Sequence, residues 1–202
     1  MDASDEQLVE RCQNELPYRT ESFELLLRRY EATVYRTCLR YLGNSHDAEE
    51  ASQDAFLRVY HGLPKFSGKS AFRTWLYRIV ANVCATVYAK RKRQREQRQA
   101  YIDQARSDGI EASQDSSNEL SGPIADALAK LSPEDRQVLV LRHVSGLSVP
   151  EIAEAIHVKL SAAKMRVSRA EQRLREYYDV LIADHKESPN EPTTHDDFFE
   201  EL

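Results

Sequence analysis

From Phe23 onward the apolar residues fall at Phe23, Leu26, Leu27, Tyr30, Val34, Cys38 and Tyr41. Steps of three and four place them on one stripe of an α-helix, whereas a half-buried strand needs a period of two. The helical spacing returns at Phe72, Leu76, Ile79, Val83 and Val87, and again at Val167, Ala170, Leu174, Tyr178 and Leu181. With 6 Gly and 7 Pro in 202 residues, little interrupts long helices. The chain reads as all-α.

Boundary residues divide the pattern. Gly43 closes the first helix; Asn44, Ser45 and Asp47 offer caps for a second, whose first turn holds Glu49 and Glu50 where the helix dipole favours acids. This helix runs to about Tyr60 and stops at Gly62. A loop over 63–69 follows, and Ser70 can cap a third helix ending in the basic run 90–98. Periodicity fades over 99–122, which is rich in Ser, Asp and Glu, and resumes at Ile124, Leu128 and Leu131. Ser132-Pro133-Glu134-Asp135 is a helix start, with Pro at the first helical position. That helix ends near Gly146. Ser148-Val149-Pro150-Glu151 opens a short helix to Ile156, and after a turn at 157–160 Ser161 can cap a long one. The expected organisation is two small helical domains, 1–98 and 122–183, joined by a flexible acidic linker over 99–121, with a disordered acidic tail over 184–202.

Charge follows the same division. The tail from Asp184 holds seven acids against Lys186 and contributes −6 of the net −5, leaving +1 for the rest. Lys90 to Arg98 carries six bases and one acid. Local basic surfaces with an acidic tail fit a nucleic-acid partner despite the negative total. No apolar run approaches the ~20 residues of a membrane span, and the acidic N-terminus has no signal-peptide core. Cys12, Cys38 and Cys84 form no CxxC pair, so they read as buried small hydrophobes, not ligands or disulfides. Glu154-Ala-Ile-His157 is a single ExxH, where a di-metal bundle needs two. With no P-loop and no HExxH, the expectation is a cytoplasmic protein with no catalytic set, metal or cofactor.

Two segments carry recognition chemistry. The last two helices have helix-turn-helix spacing, with Ile152, Ala153 and Ile156 facing inward. The second of them carries Lys164, Arg166, Arg169 and Arg173, with Ser168 able to reach a base edge or phosphate. A plain helical hairpin with a solvated basic face has the same spacing, and His157 stands where such turns often have glycine. The third helix interleaves Arg73, Trp75, Tyr77, Arg78 and Asn82, preceded by Phe66 and Lys69. Cations track phosphates and rings stack on unpaired bases at ~1–3 kcal/mol each; the alternative is that Trp75 and Tyr77 are packing residues.

DAEEASQDAFLRVY (47–60), KFSGKSAFRTWLYRIVANVC (65–84), LSPEDRQVLVLRHVSGLSVPEIAEAI (131–156) and KMRVSRA (164–170) together resemble the bacterial extracytoplasmic-function sigma factors of the sigma-70 superfamily. The resemblance implies a first domain that binds the clamp coiled coil of core RNA polymerase and melts the −10 element. It implies a second that contacts the polymerase flap and reads the −35 element. Asp47, Glu50, Gln53, Asp54 and Phe56 would then face the clamp. Phe66, Lys69, Arg73, Trp75, Tyr77, Arg78 and Asn82 would hold −10 DNA. Ser161, Lys164, Met165, Arg166, Ser168, Arg169 and Arg173 would lie at −35 DNA, although Met165 and the pair Ala162–Ala163 depart from the family's usual residues there. Members are commonly restrained by a membrane-bound anti-sigma factor, which the resemblance makes an expected partner. The competing readings are a stand-alone helix-turn-helix regulator and a helical protein acting on RNA. For the tail, folding back onto a basic face competes with a solubilising role.

Overall fold

The computed structural model describes residues 3–107 and 122–185, and among these there is no strand. Helix α1 (Asp5–Glu15) was not legible in the periodicity, because its stripe is only Leu8, Val9 and Cys12. It is started by a capping box in which Ser4 and Gln7 satisfy each other's backbone. Helix α2 (Glu21–Leu42) ends at Gly43, whose φ of 82° lets its N–H return to Leu39 O. Asn44 caps α3 (Ser45–Gly62) through the Asp47 N–H, and a single tight turn, Leu63–Lys65, follows.

Helix α4 spans Phe72–Ser107, 36 residues, or ~54 Å at 1.5 Å per residue. It passes straight through the basic run and through 99–107, where the sequence pattern anticipates linker. Over 99–104 every side chain but Ile102 is exposed, and exposed positions need no period. Residues 108–121 and 186–202, which hold the rest of the anticipated linker and nearly all of the tail, lie outside the described residues.

The second unit comprises α5 (Pro123–Lys130), α6 (Pro133–Leu139), α7 (Val149–Ala155) and α8 (Leu160–His185). Ser132 caps α6 and Ser148 with Glu151 forms the capping box of α7, as their spacing predicts. After α6 the backbone widens over Val140–Val144, the Ser145 N–H bonding Val140 O five residues back. His157 takes the left-handed φ of 54° between α7 and α8, the conformation for which glycine is the cheaper residue. Helix α8 already includes Leu160, so Ser161 lies inside its first turn and not before it.

Burial joins the units. Leu26, Val34, Cys38, Leu76, Val80 and Val83 of the first unit and Leu139, Leu141, Leu147, Ile152 and Leu174 of the second belong to one contiguous buried cluster. Polar contacts fix the register. Arg136, 6% exposed, sends its guanidinium to Tyr41 O (3.0 Å) across the junction, and to Leu128 O (2.8 Å) and Ala129 O (2.9 Å) within its own unit. It also lies 5.5 Å from the Tyr88 ring centre. Thr37 Oγ1 and Ser145 Oγ stand 3.0 Å apart, Arg73 donates to Ser145 O, and Thr74 Oγ1 donates to Glu151 at 3.3 Å. The three cysteines are free and buried, as expected, with Cys84 Sγ 3.6 Å from Cys38 Sγ.

Candidate nucleic-acid interface

Helix α8 buries Ala163, Val167, Ala170 and Leu174 and so turns the intervening residues outward. Ser161, Lys164, Met165, Ser168 and Arg169 are exposed, and Arg166 is half-buried. Exposed positions recurring at three and four make one stripe of cations, hydroxyls and a thioether along the helix. The small Ala163 and Ala170, both at 0% exposure, let α8 lie close on its neighbours. Ile152 and Ala153 are buried as the sequence predicts, and Ile156 packs at the edge of the core. Arg173 departs from the stripe's chemistry. Although half-exposed, it is ion-paired with Asp135 at the start of α6, so part of its charge goes into holding α8.

The α4 residues divide unequally. Trp75, Arg78 and Asn82 recur at the spacing of one helix face; Asn82 is exposed and the other two half-buried. Lys69 is exposed in the preceding loop. Trp75 packs against Phe66, ring centres 4.9 Å apart, and against Phe72 at 5.9 Å. A Cβ on Gly62 would come within 3.0 Å of the Trp75 indole, so glycine here permits the ring's close approach. Tyr77 corrects the sequence reading. It is 1% exposed and set among core residues, and burial pushes its hydroxyl up to about 12 despite the nearby Arg73 and Arg36 guanidinium charges. Its ring stacks on no base in this arrangement. Arg73 is held by the Ser145 carbonyl, and a nucleic-acid strand reaching it must displace that contact.

Helix α3 shows a similar division. Glu50 and Gln53 are exposed. Asp54 pairs with Arg58 one turn on, Nη2 to Oδ2 at 2.9 Å. Asp47 is engaged within the fold, where its carboxylate, 13% exposed, meets Arg91 Nη1 at 2.7 Å. That pair ties α3 to α4 and leaves Asp47 little surface for a partner. Phe56 lines an apolar groove between α2 and α3 of about 940 Å³, together with Phe23, Leu27, Tyr35 and Leu57. Leu57, 59% exposed, thus belongs to a contiguous open apolar lining and is not a singly exposed leucine. Periodicity marks Phe23 and Leu27 as apolar positions, but only the packing of α2 on α3 shows that they border an open groove.

Among the described residues no cluster of His, Cys, Asp and Glu has metal-binding geometry, and no helix is long and apolar enough to cross a membrane.

Comparison with known proteins adds an independent line. Residues 26–95 match the family described as Sigma-70 region 2, and residues 121–174 match Sigma-70, region 4. The chain is 32% identical over 170 residues to the ECF RNA polymerase sigma factor SigW of Bacillus subtilis, covering 77% of this chain and 88% of that one. It is 30% identical over 191 residues to the ECF RNA polymerase sigma-E factor of Escherichia coli K12, covering 89% and 96%. Among solved structures it is similar to CnrH in complex with the cytosolic domain of CnrY, with TM-score 0.63, 25% identity and 88% and 96% coverage. It is also similar to the sigma factor RpoE in complex with the anti-sigma factor NepR from Bartonella quintana, with TM-score 0.59, 25% identity and 79% and 98% coverage.

Proposed function

The chain belongs to the extracytoplasmic-function sigma factors of the sigma-70 family, and from that membership we propose that it carries core RNA polymerase to a particular set of promoters. It acts as a regulatory initiation factor: its residues bind and position. The exposed stripe of α8, Lys164, Met165, Ser168 and Arg169, is the observation that carries this reading. A helix presenting such a face fits a major groove ~12 Å wide, and the cations supply sequence-independent phosphate affinity. In this reading the stripe takes duplex −35 DNA. The loop before α4, with Trp75, Arg78 and Asn82, takes the melted −10 strand, where bases exchange stacking in the duplex for stacking on protein.

The groove between α2 and α3, whose polar lining includes Glu31, Glu49 and Gln53, is the proposed seat for core polymerase. Apolar side chains beside acidic ones suit a helical partner with basic flanks. Relatives solved with CnrY and with the anti-sigma factor NepR support an anti-sigma factor as a further partner of this chain.

Run-off transcription by purified core polymerase on a promoter library, with and without the chain, tests the reading. The expected result is discrete new start sites that depend on the chain and weaken at least tenfold with Asn82→Ala, an exposed position whose loss leaves the fold intact. No dependent start sites from a folded chain, together with tight duplex binding unaffected by core enzyme, would establish a stand-alone regulator instead.

A further inference from the structure

The loop between α3 and α4 carries Phe66 and Lys69, yet little of its own structure holds it: the turn Leu63–Lys65 closes with one bond, Phe66 N–H to Leu63 O at 3.0 Å. Leu63 is anchored in the core at 0% exposure, and a further polar restraint comes from the other end of the first unit. Gln13 on α1 sends its side-chain amide nitrogen to Leu63 O at 3.2 Å and to Phe66 O at 2.7 Å. Two N–H donors meet two carbonyl acceptors; the reversed amide would aim its oxygen at both carbonyls, so only one orientation satisfies the site. Gln13 lies outside the residues matching Sigma-70 region 2.

The tied backbone places an aromatic wall. Phe66, whose carbonyl Gln13 holds, rests against Trp75 and Phe72, and Gly62 lies under the Trp75 indole. A free loop would have to be ordered whenever a strand bound, and that ordering opposes binding. We infer that Gln13 is a positioning residue for capture of the melted −10 strand, holding the loop in the shape that presents Phe66 and Lys69 beside Trp75. The inference rests on the reading above, in which this loop receives the unpaired strand.

The test uses holoenzyme reconstituted from core polymerase and the full chain. Its probes are a fluorescent single-stranded oligonucleotide bearing the non-template −10 segment of a promoter recovered by run-off selection, and a duplex bearing only the −35 segment. Gln13→Met fills the same volume without donors and is expected to weaken single-strand binding about tenfold, the equivalent of two hydrogen bonds of modest net worth. Gln13→Glu, a carboxylate against two carbonyls, weakens it further. Gln13→His, which keeps one N–H, falls between Met and the parent. Binding to core and to the −35 duplex stays unchanged in all three. A purely structural role would instead lower the thermal midpoint and both DNA affinities together, and that result overturns the inference, as does Gln13→Met binding the single strand like the parent. In either case the promoter reading stands. If the parent yields no dependent promoter, both fall.

Discussion

Tyr77 and Asn82 lie on the same helix and look alike in the sequence, as polar-tipped residues among cations, yet they have opposite roles. Tyr77 fills core volume and Asn82 faces solvent. Tyr77→Ala is expected to destabilise the chain by ~3 kcal/mol, the cost of removing a buried ring. Asn82→Ala should stay within ~0.5 kcal/mol of the parent. Urea denaturation of both variants measures the contrast. His157 offers a second residue-scale test. Its left-handed φ of 54° strains a side chain, and Gly carries no such strain but more entropy in the unfolded state, so His157→Gly should gain ~0.5 kcal/mol in the same assay.

Helix starts were the most legible elements. Ser132, Ser148 and Asn44 cap where their neighbours' spacing says they should, because a cap is a local bond between a side chain and a backbone N–H two or three residues on. Ser148→Ala is expected to cost ~1 kcal/mol, read as a lower denaturation midpoint with an unchanged slope. Helix α4 was legible in its buried stripe and not at its ends: it begins at Phe72, two residues after Ser70, and over 92–104 only Ile102 is buried, too little to set a period. Helix α1 escaped for a related reason: a stripe of three buried residues is too short to distinguish from chance. Its role in holding the loop at Leu63 and Phe66 depends on contacts across 50 and 53 residues, which no local pattern encodes.

At the scale of the whole molecule, Glu151 serves both the α7 cap and the junction between the units. Burial pushes its carboxyl up, but bonds from the Ser148 hydroxyl and backbone, the charge of Arg73 and the bond from Thr74 outweigh that and hold it below the ordinary range. A carboxyl depressed in the folded state contributes stability above its unfolded pKa. That contribution is lost as pH falls through the folded value. Stability should therefore drop as the solution is acidified below the ordinary carboxylate range, and Glu151→Gln should flatten that part of the profile. Thermal midpoints measured from neutral to acid pH decide it; parallel profiles for parent and variant would show that Glu151 carries none of the dependence.

An all-α chain, two helical units in order, the caps that start several helices, and a family whose two motif sets lie in separate units are all legible without coordinates. Each rests on neighbours within a turn or two, where side-chain spacing and backbone hydrogen bonding act directly. Which members of the recognition motifs are available emerges only from the packing of helix on helix. Tyr77 is buried, Asp47 is bound to Arg91, Arg173 is paired with Asp135, and Arg73 is engaged by the second unit. The reason is that polar side chains in one motif share a chemical type but not an environment. Whether a cation meets solvent, a carboxylate or a distant carbonyl depends on which helix packs over it.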